Sequence, residues 1–462
     1  TTEIYTLSLH DALPISVADG QPGFIHHREI PGTLAYLAPE QTGRTGRNVD
    51  QRSDLYALGA TLYEAACGRP PFETSDPLQL IHDHLAKLPT PPAELEPRVP
   101  RALSDIILRL LEKEPDHRYQ SAEGLAHDLT LAMQAHAQGN DGPLSLGERD
   151  FAWRLSPPSR LVGREREIAA LRRSLDEAIG NSGGVVFVAG GPGVGKTSLV
   201  NELRPMVAAR RGWFVSGKFD QYRSDAPSAT IQALRALGRL LLAEPPMELA
   251  RQRDRILDFL GANAGLVSGG SPEFALLLGP QPEVVAVDPV QAETRSMLNT
   301  LNLLRALVSP ERPLVMVLDD LQWAHVISMR FIDTLLHAEK IPGLLLVCAF
   351  RDAEVQATHP LSAALPRWAR LEHAPVLLRL SNLPQSDLGV LLAEMLRMPR
   401  AQAALFAQAI QPHTGGNPYD TVELLNALRR DGALLAGPTG WQWDEARVRN
   451  YIGQGSVVDL VR

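Results

Sequence analysis

Two runs of this chain carry residues whose types and spacing belong to phosphate chemistry. The first is Gly190-Gly191-Pro192-Gly193-Val194-Gly195-Lys196-Thr197, followed by Ser198. Its G-x-x-x-x-G-K-[ST] spacing suits a loop whose backbone N–H groups turn inward onto phosphate oxygens. A helix beginning directly after the loop points its positive end at the same anion. Lys196 is placed to reach the outer phosphates, and the Thr197 hydroxyl to ligate Mg²⁺. The second run is the acid pair Asp319-Asp320, which closes the apolar stretch Pro313 to Leu318. A carboxylate at the end of a parallel strand lies where nucleotide chemistry gathers, so Asp319 would hold Mg²⁺ through water and Asp320 would orient or deprotonate an attacking water. An Asp-Asp turn after a strand is the alternative. Arg351 follows the apolar run Leu344 to Phe350; it would either sense a γ-phosphate or form a surface ion pair with Asp352. The chemistry this implies is binding and hydrolysis of a nucleoside triphosphate, with ATP and Mg²⁺ as the bound groups.

These residues need a sheet to hold them. Val185 to Ala189 is continuously apolar, as a strand buried on both faces must be, and runs straight into the glycine loop. Leu344 to Phe350 and Pro375 to Leu380 supply two more strands, and Ile168, Leu171, Leu175 and Ile179 fall on one helical face. Leu424, Leu425 and Leu428 predict a further helix after Gly415-Gly416-Asn417-Pro418. Between Gly261 and Pro289 glycine and proline rise and periodicity fades, which reads as an insertion or lid. Gln138 to Arg160 is polar and rich in Gly, Pro and Ser, and reads as a linker.

The region before that linker has a different character. Ile30-Pro31-Gly32-Thr33-Leu34-Ala35-Tyr36-Leu37-Ala38-Pro39-Glu40 precedes Asp54-Leu55-Tyr56-Ala57-Leu58-Gly59, then Gly68-Arg69-Pro70-Pro71-Phe72 and Lys113-Glu114-Pro115-Asp116-His117-Arg118-Tyr119-Gln120-Ser121-Ala122. Glu40 needs a buried cation, and Arg118 is a planar fork suited to a bidentate carboxylate contact. Leu103, Ile107, Leu110 and Leu111 form one helical stripe, ended by Pro115. Leu125, Leu129 and Met133 form another after a Ser121 cap, and both stripes are expected in the core. In order and spacing these phrases resemble the second half of a eukaryotic-type serine/threonine protein kinase domain. The resemblance implies that Glu40 and Arg118 clamp the activation segment to the lobe, that Thr33 lines the pocket beside the substrate hydroxyl, and that Asp54 holds the backbone of the catalytic loop. A plain helix N-cap is the alternative for Asp54. The kinase-like region contains no kinase-type Gly-rich loop, V-A-I-K, H-R-D or D-F-G. His27-Arg28-Glu29 lies too close to the Gly-Thr segment to replace H-R-D. This half is therefore expected not to phosphorylate, although its parent is a kinase.

The glycine loop and acid pair, with Leu321-Gln322-Trp323-Ala324, Gly217-Lys218-Phe219-Asp220-Gln221-Tyr222, Gly415-Gly416-Asn417-Pro418 and Trp441-Gln442-Trp443-Asp444, resemble the AAA-like ATPase module of the STAND class of signal-transduction ATPases. The nearest pattern is the module of large bacterial proteins that join a serine/threonine kinase, this ATPase, a sensor segment and a histidine kinase. The resemblance implies that Pro418 touches adenine, although a helix-breaking loop explains Gly415 to Pro418 equally well. His325 stands where that class commonly has an acid, and Trp323 reads as packing. Three functions stay open: an ATP-driven switch gating attached kinase domains, a STAND-type transcription regulator, and an AAA-type remodelling motor.

Length and composition bound these readings. At roughly 150 residues per domain, 462 residues suggest about three domains. Fifty-three acids against 45 bases leave a net charge of −8, without a global basic footprint for nucleic acid. Cys67 and Cys348 cannot build a disulfide framework, and no apolar run approaches the roughly 18 residues of a membrane span. A cytoplasmic chain without nucleic-acid or membrane partners is expected, with protein substrates, downstream histidine-kinase or sensor domains, and a homo-oligomer as further expectations. Thr1 to Ile15 resembles translated sequencing adapter rather than natural sequence, and Val457 to Arg462 ends without a closing signal. The expected architecture is mixed: an α-helical kinase half-lobe over 16–137, a linker over 138–160, an α/β P-loop domain with a parallel sheet of the ASCE/STAND type over 161–380, and a helical, winged-helix-like segment over 381–462.

Overall fold

The computed structural model of the chain describes residues 34–42, 49–74, 77–140, 142–151, 155–158, 160–221, 228–282, 288–337, 340–437 and 440–453. Thr33, the Thr1 to Ile15 segment, His27 to Glu29 and Val457 to Arg462 lie outside the described residues. At the centre is a parallel sheet of β1 (Gly184–Gly190), β2 (Trp213–Lys218), β3 (Leu314–Asp319), β4 (Leu344–Phe350) and β5 (Val376–Leu380), in the order β2-β3-β4-β1-β5. All seven residues of β4 are buried, which is why its sequence is apolar without alternation. Strand side chains point alternately to opposite faces, so two cores form. Phe187, Met316, Leu318, Leu346 and Phe350 pack with the helices Ala229–Leu242 and Pro289–Leu307 on one face. Val186, Val188, Val315, Val317 and Val347 pack with Glu165–Glu177 and Lys196–Asn201 on the other.

Parallel strands bring their C-terminal ends to one edge. Because β4 lies between β1 and β3, the glycine loop at the end of β1 and the acid pair at the end of β3 flank Arg351, which follows β4. Strand β2 is the element that periodicity does not announce. It is an edge strand of six residues, alternately buried and exposed, with a glycine near its end. That glycine has a steric cause: a Cβ at Gly217 would come within 1.8 Å of the Ala229 carbonyl oxygen. The helix Ala229–Leu242 can approach β2 that closely only over a glycine.

Several expectations need correction. The stretch Gly261 to Pro289 is largely helical where described, with Ala264–Gly270 and Pro272–Leu278. Phe274 and Leu278 are fully buried in the larger core, so this stretch is packed scaffold rather than a lid. Its glycines mark helix ends, where they interrupt periodicity without ending the packing. In the N-terminal lobe, Asp50 rather than Asp54 caps Gln51–Cys67, accepting from the Arg52 amide. Asp54 sits exposed in the first turn. Arg101–Leu110 ends before Pro115, which opens a separate short 3₁₀ turn. Ser121 caps Ala122–Ala137 as expected, but Met133 points to solvent, 73% exposed, while Leu125 is buried.

The segment read as a linker is anchored on both sides. Asp150 is fully buried; its carboxylate accepts from the Gln120 and Ser121 amides and the Ser121 hydroxyl. Its backbone carbonyl accepts from Arg397 at 3.2 Å, and Phe151 meets the Trp441 ring edge-on. A polar side chain can be buried where it finds partners, as Asp150 does inside a segment most of whose described residues are exposed. Beyond the sheet, Gln385–Leu396, Arg400–Thr414 and Pro418–Arg430 pack together, followed by an antiparallel hairpin of β6 (Leu434–Gly437) and β7 (Gly440–Trp443) and the helix Glu445–Gly453. Trp443 of the hairpin stacks on Phe406 at 4.7 Å.

Candidate functional site

The glycine loop curls between β1 and the helix Lys196–Asn201. Gly193 has φ +75, and a Cβ there would lie 2.6 Å from Asn417 Oδ1, so both backbone conformation and space call for glycine. Val194 is the loop's one apolar anchor; it is buried in the sheet's lower core. Buried Arg164 supports the loop from outside, donating to the carbonyls of Val194 at 3.2 Å and Ser381 at 2.6 Å. Lys196 is 8% exposed, and its Nζ donates to the Gly190 and Gly191 carbonyls at 2.8 Å each. Burial pushes its ammonium below the usual lysine range, with Asp319 opposing the shift. An ammonium held by the carbonyls of the glycine loop is a ready counter-charge for phosphate.

The hydroxyl of Thr197 donates to Asp319 Oδ2 at 3.2 Å, which joins the loop to the end of β3. Among the described residues no three His, Cys, Asp or Glu side chains gather as a metal cage. A hydroxyl beside one carboxylate is instead the hard-oxygen donor set that Mg²⁺ shares with phosphates, so the residues present fit that ion. Thr197 and Asp319 would hold it.

Asp320 is set differently. It is 4% exposed and adopts the left-handed region at φ +55, which an aspartate tolerates better than most residues. Its Oδ1 accepts from Gln322 Nε2 at 3.0 Å and lies 3.6 Å from Arg351 Nε, while Oδ2 lies 3.1 Å from Lys218 Nζ. Gln322 also accepts from the Arg351 amide at 3.0 Å and so ties the end of β3 to the end of β4. Arg351 pairs with Glu354 at 2.9 Å and with Asp320, not with Asp352 as the surface alternative supposed. The Asp352 carboxylate turns back onto the Ala353 amide. Trp323 packs against the core with the Arg351 guanidinium 5.2 Å from its ring centre, in keeping with its reading as packing.

Pro418 lines the same cavity as the loop, a space of about 1050 Å³ that also reaches Ser198, Asp319, Asp320 and Arg351. Asn417 makes the contact there: its Nδ2 donates to the Pro192 carbonyl at 2.9 Å, and its Oδ1 caps the helix Pro418–Arg430. The Gly415 to Pro418 phrase is thus a helix break that also touches the phosphate loop. Sequence pattern alone assigns no role to Arg164, Lys218, Gln322 or Asn417, which all take part in the site. Lys218 ends β2 in register with Asp319, so recognising β2 would have found it.

The kinase-like residues divide. Glu40 and Arg118 meet as expected, with Nη1 to Oε1 at 2.7 Å and Nη2 to Oε2 at 2.8 Å, both side chains buried. Ser53 adds a hydroxyl bond to Glu40 at 2.6 Å, and Arg118 also donates to three backbone carbonyls. Asp54 is not brought to this cluster.

Comparison with known proteins finds two domain families in the chain. The AAA ATPase domain family matches residues 160–347, and the protein kinase domain family matches residues 19–130. Hybrid signal transduction histidine kinase G of Dictyostelium discoideum is 35% identical over 66% of this chain and 10% of its own length. DNA damage-responsive serine/threonine-protein kinase RqkA of Deinococcus radiodurans is 38% identical over 28% of this chain and 22% of its own. Serine/threonine-protein kinase PknB of Mycobacterium leprae is 36% identical over 32% of this chain and 23% of its own. The chain thus spans less than a quarter of each of these relatives. Together with the five-stranded parallel sheet and the buried Glu40–Arg118 pair, these matches show that the chain joins part of a serine/threonine-type protein kinase domain to an AAA-type P-loop ATPase domain.

Proposed function

We propose that this chain is a nucleotide-switched segment of a bacterial signalling kinase, in which ATP–Mg²⁺ at the phosphate loop biases attached output domains in the manner of a STAND ATPase. One observation carries the reading: a bonded path from the phosphate loop to the kinase lobe. Asn417 rests on Pro192 and caps Pro418–Arg430. Farther along that helix, buried Asn426 accepts from the Leu155 amide at 2.9 Å and donates to its carbonyl at 3.0 Å. A few residues before Leu155, Asp150 grips Gln120 and Ser121 of the kinase lobe. A phosphate that repositions the loop carbonyls moves the first link of this path.

Within the site, Lys196 and the loop amides bind phosphate, Thr197 and Asp319 hold the metal, Arg351 senses the terminal phosphate, Asp320 directs water and Pro418 borders the base. Bound Mg²⁺ would neutralise developing phosphate charge. Similarity to a hybrid histidine kinase supports downstream histidine-kinase or sensor domains as the output. The serine/threonine kinase relatives support protein substrates for the parent chain. No helix among the described residues is long and apolar enough to cross a membrane. A cytoplasmic setting without direct nucleic-acid contact, and assembly into a homo-oligomer, complete the proposal.

Calorimetric titration of the whole chain with ATP–Mg²⁺, combined with hydrogen exchange, tests it. Lys196→Ala should lose most of the ATP affinity. In the wild type, ATP should change amide protection both at the loop and at residues 118–128. Undiminished affinity in Lys196→Ala, or protection changes confined to residues 161–437, would refute the reading.

A further inference from the structure

Asp320 and a terminal phosphate would want the same cation. Lys218 ends β2, paired in register with Asp319, and its backbone is fixed on the strand's open edge by Gln232. That side chain accepts from the Lys218 amide at 3.1 Å and donates to its carbonyl at 3.0 Å. The side chain beyond this fixed point is 62% exposed, yet its Nζ lies 3.1 Å from Asp320 Oδ2. Gln322 and Arg351 approach Oδ1 of the carboxylate, whereas Lys218 forms its ion pair at Oδ2. The pair is asymmetric: Asp320 is 4% exposed on a left-handed backbone and cannot follow, whereas a lysine on a four-carbon stem can swing. Both side chains line the cavity that contains Lys196, Thr197 and Asp319.

Resting on the nucleotide-binding reading above, we infer that Lys218 is a positioning residue that distinguishes triphosphate from diphosphate. It holds Asp320 by its Oδ2 while no terminal phosphate is bound, and exchanges that carboxylate for the γ-phosphate oxygens of a nucleoside triphosphate. Two consequences follow from one cation shared between two anions. Oδ2 of Asp320 becomes available to water only when the terminal phosphate is in place. The triphosphate is bound in competition with the protein's own carboxylate, whereas the diphosphate, which lacks the competing oxygens, leaves the pair intact.

The test is a double-mutant cycle read in binding. On the whole chain, the affinities for ATP–Mg²⁺ and ADP–Mg²⁺ are measured by calorimetry, in the absence of turnover for ATP by use of its non-hydrolysable analogue. Lys218→Met is expected to lower the triphosphate-to-diphosphate affinity ratio at least fivefold, through the triphosphate alone, and Lys218→Arg to restore most of it. Asp320→Asn removes the competitor and should raise the ratio in the wild type but leave it unchanged in the Lys218→Met background. A ratio unmoved by Lys218→Met, an equal loss for both nucleotides, or Asp320→Asn and Lys218→Met effects that simply add would each overturn the inference. Lys196→Ala separates this from the parent reading. That variant should lose both nucleotides, and its failure to do so would count against the site assignment whatever Lys218 does.

Discussion

Replacing Glu40 with alanine removes the anion from a guanidinium that has no access to solvent. Arg118 is 0% exposed and Glu40 2%, and the two are joined by parallel bonds of 2.7 and 2.8 Å. The remaining Arg118 donors reach the carbonyls of Glu112, Arg52 and Lys113, which satisfy N–H groups but not the net charge. Breaking a buried pair by removing one partner costs about 3–5 kcal/mol. The Ser53 hydroxyl, which donates to Glu40 at 2.6 Å, loses its acceptor as well, a further loss on the order of 1 kcal/mol. The loss should appear in the N-terminal lobe and spare the sheet. Because a chain of several domains does not unfold in one step, the assay is native-state hydrogen exchange in urea, read at the amides of Gln51–Cys67 and, as an internal control, at those of β4. Glu40→Gln keeps the volume and an acceptor for Ser53, and should lose less. The double replacement Glu40→Leu with Arg118→Met leaves no charge stranded and should cost less than the sum of the single replacements at the two positions. A change below about 1 kcal/mol in Glu40→Ala, or an equal loss at β4, would refute this account of the lobe.

Three further outcomes are expected. Burial, reinforced by the Lys113 ammonium and opposed by Asp83, pushes His84 from 6.5 down to about 4. The folded lobe therefore excludes a proton that the unfolded chain accepts, and its stability should fall as pH drops from 6.5 towards 4. Urea midpoints of the lobe across that range should show a shallower slope in His84→Gln, and identical slopes would exclude His84 as a source. Gly217→Ala would force a Cβ onto the Ala229 carbonyl and should destabilise the ATPase domain by about 1–3 kcal/mol; an unchanged melting temperature would show that the helix can retreat freely. Asp319→Asn should raise the Mg²⁺ concentration needed for half-maximal ATP binding while metal-free binding changes little, and an unchanged Mg²⁺ dependence would remove Asp319 from the metal site.

Much of the site was legible without coordinates because its chemistry is local. The glycine loop is contiguous, so its backbone curl, its lysine and its hydroxyl are specified within one turn of chain. Strands β1, β3 and β4 were legible because burial on both faces demands an unbroken apolar run. The Glu40–Arg118 partnership was legible through family resemblance, since 78 residues separate the two and no local pattern joins them.

What the tertiary structure decided was pairing across distance. Strand β2 is short, half polar and at the edge, so its propensity is weak and its existence depends on β3 beside it and Gln232 across its open side. Without β2, Lys218 has no address, and its claim on Asp320 cannot be read. Arg351 illustrates the same point: a neighbour in sequence, Asp352, offered the obvious partner, but the short turn after β4 carries Glu354 into reach and β3 presents Asp320. Within the segment 138–160, read as a linker, composition records polarity but not which groups find partners. Asp150 and Leu155 are buried because Gln120, Ser121 and Asn426 supply those partners from segments far apart in the chain. Local propensity and periodicity are set by a residue's neighbours along the chain, whereas ion pairs and buried hydrogen bonds are set by its neighbours in space, and only folding determines which these are.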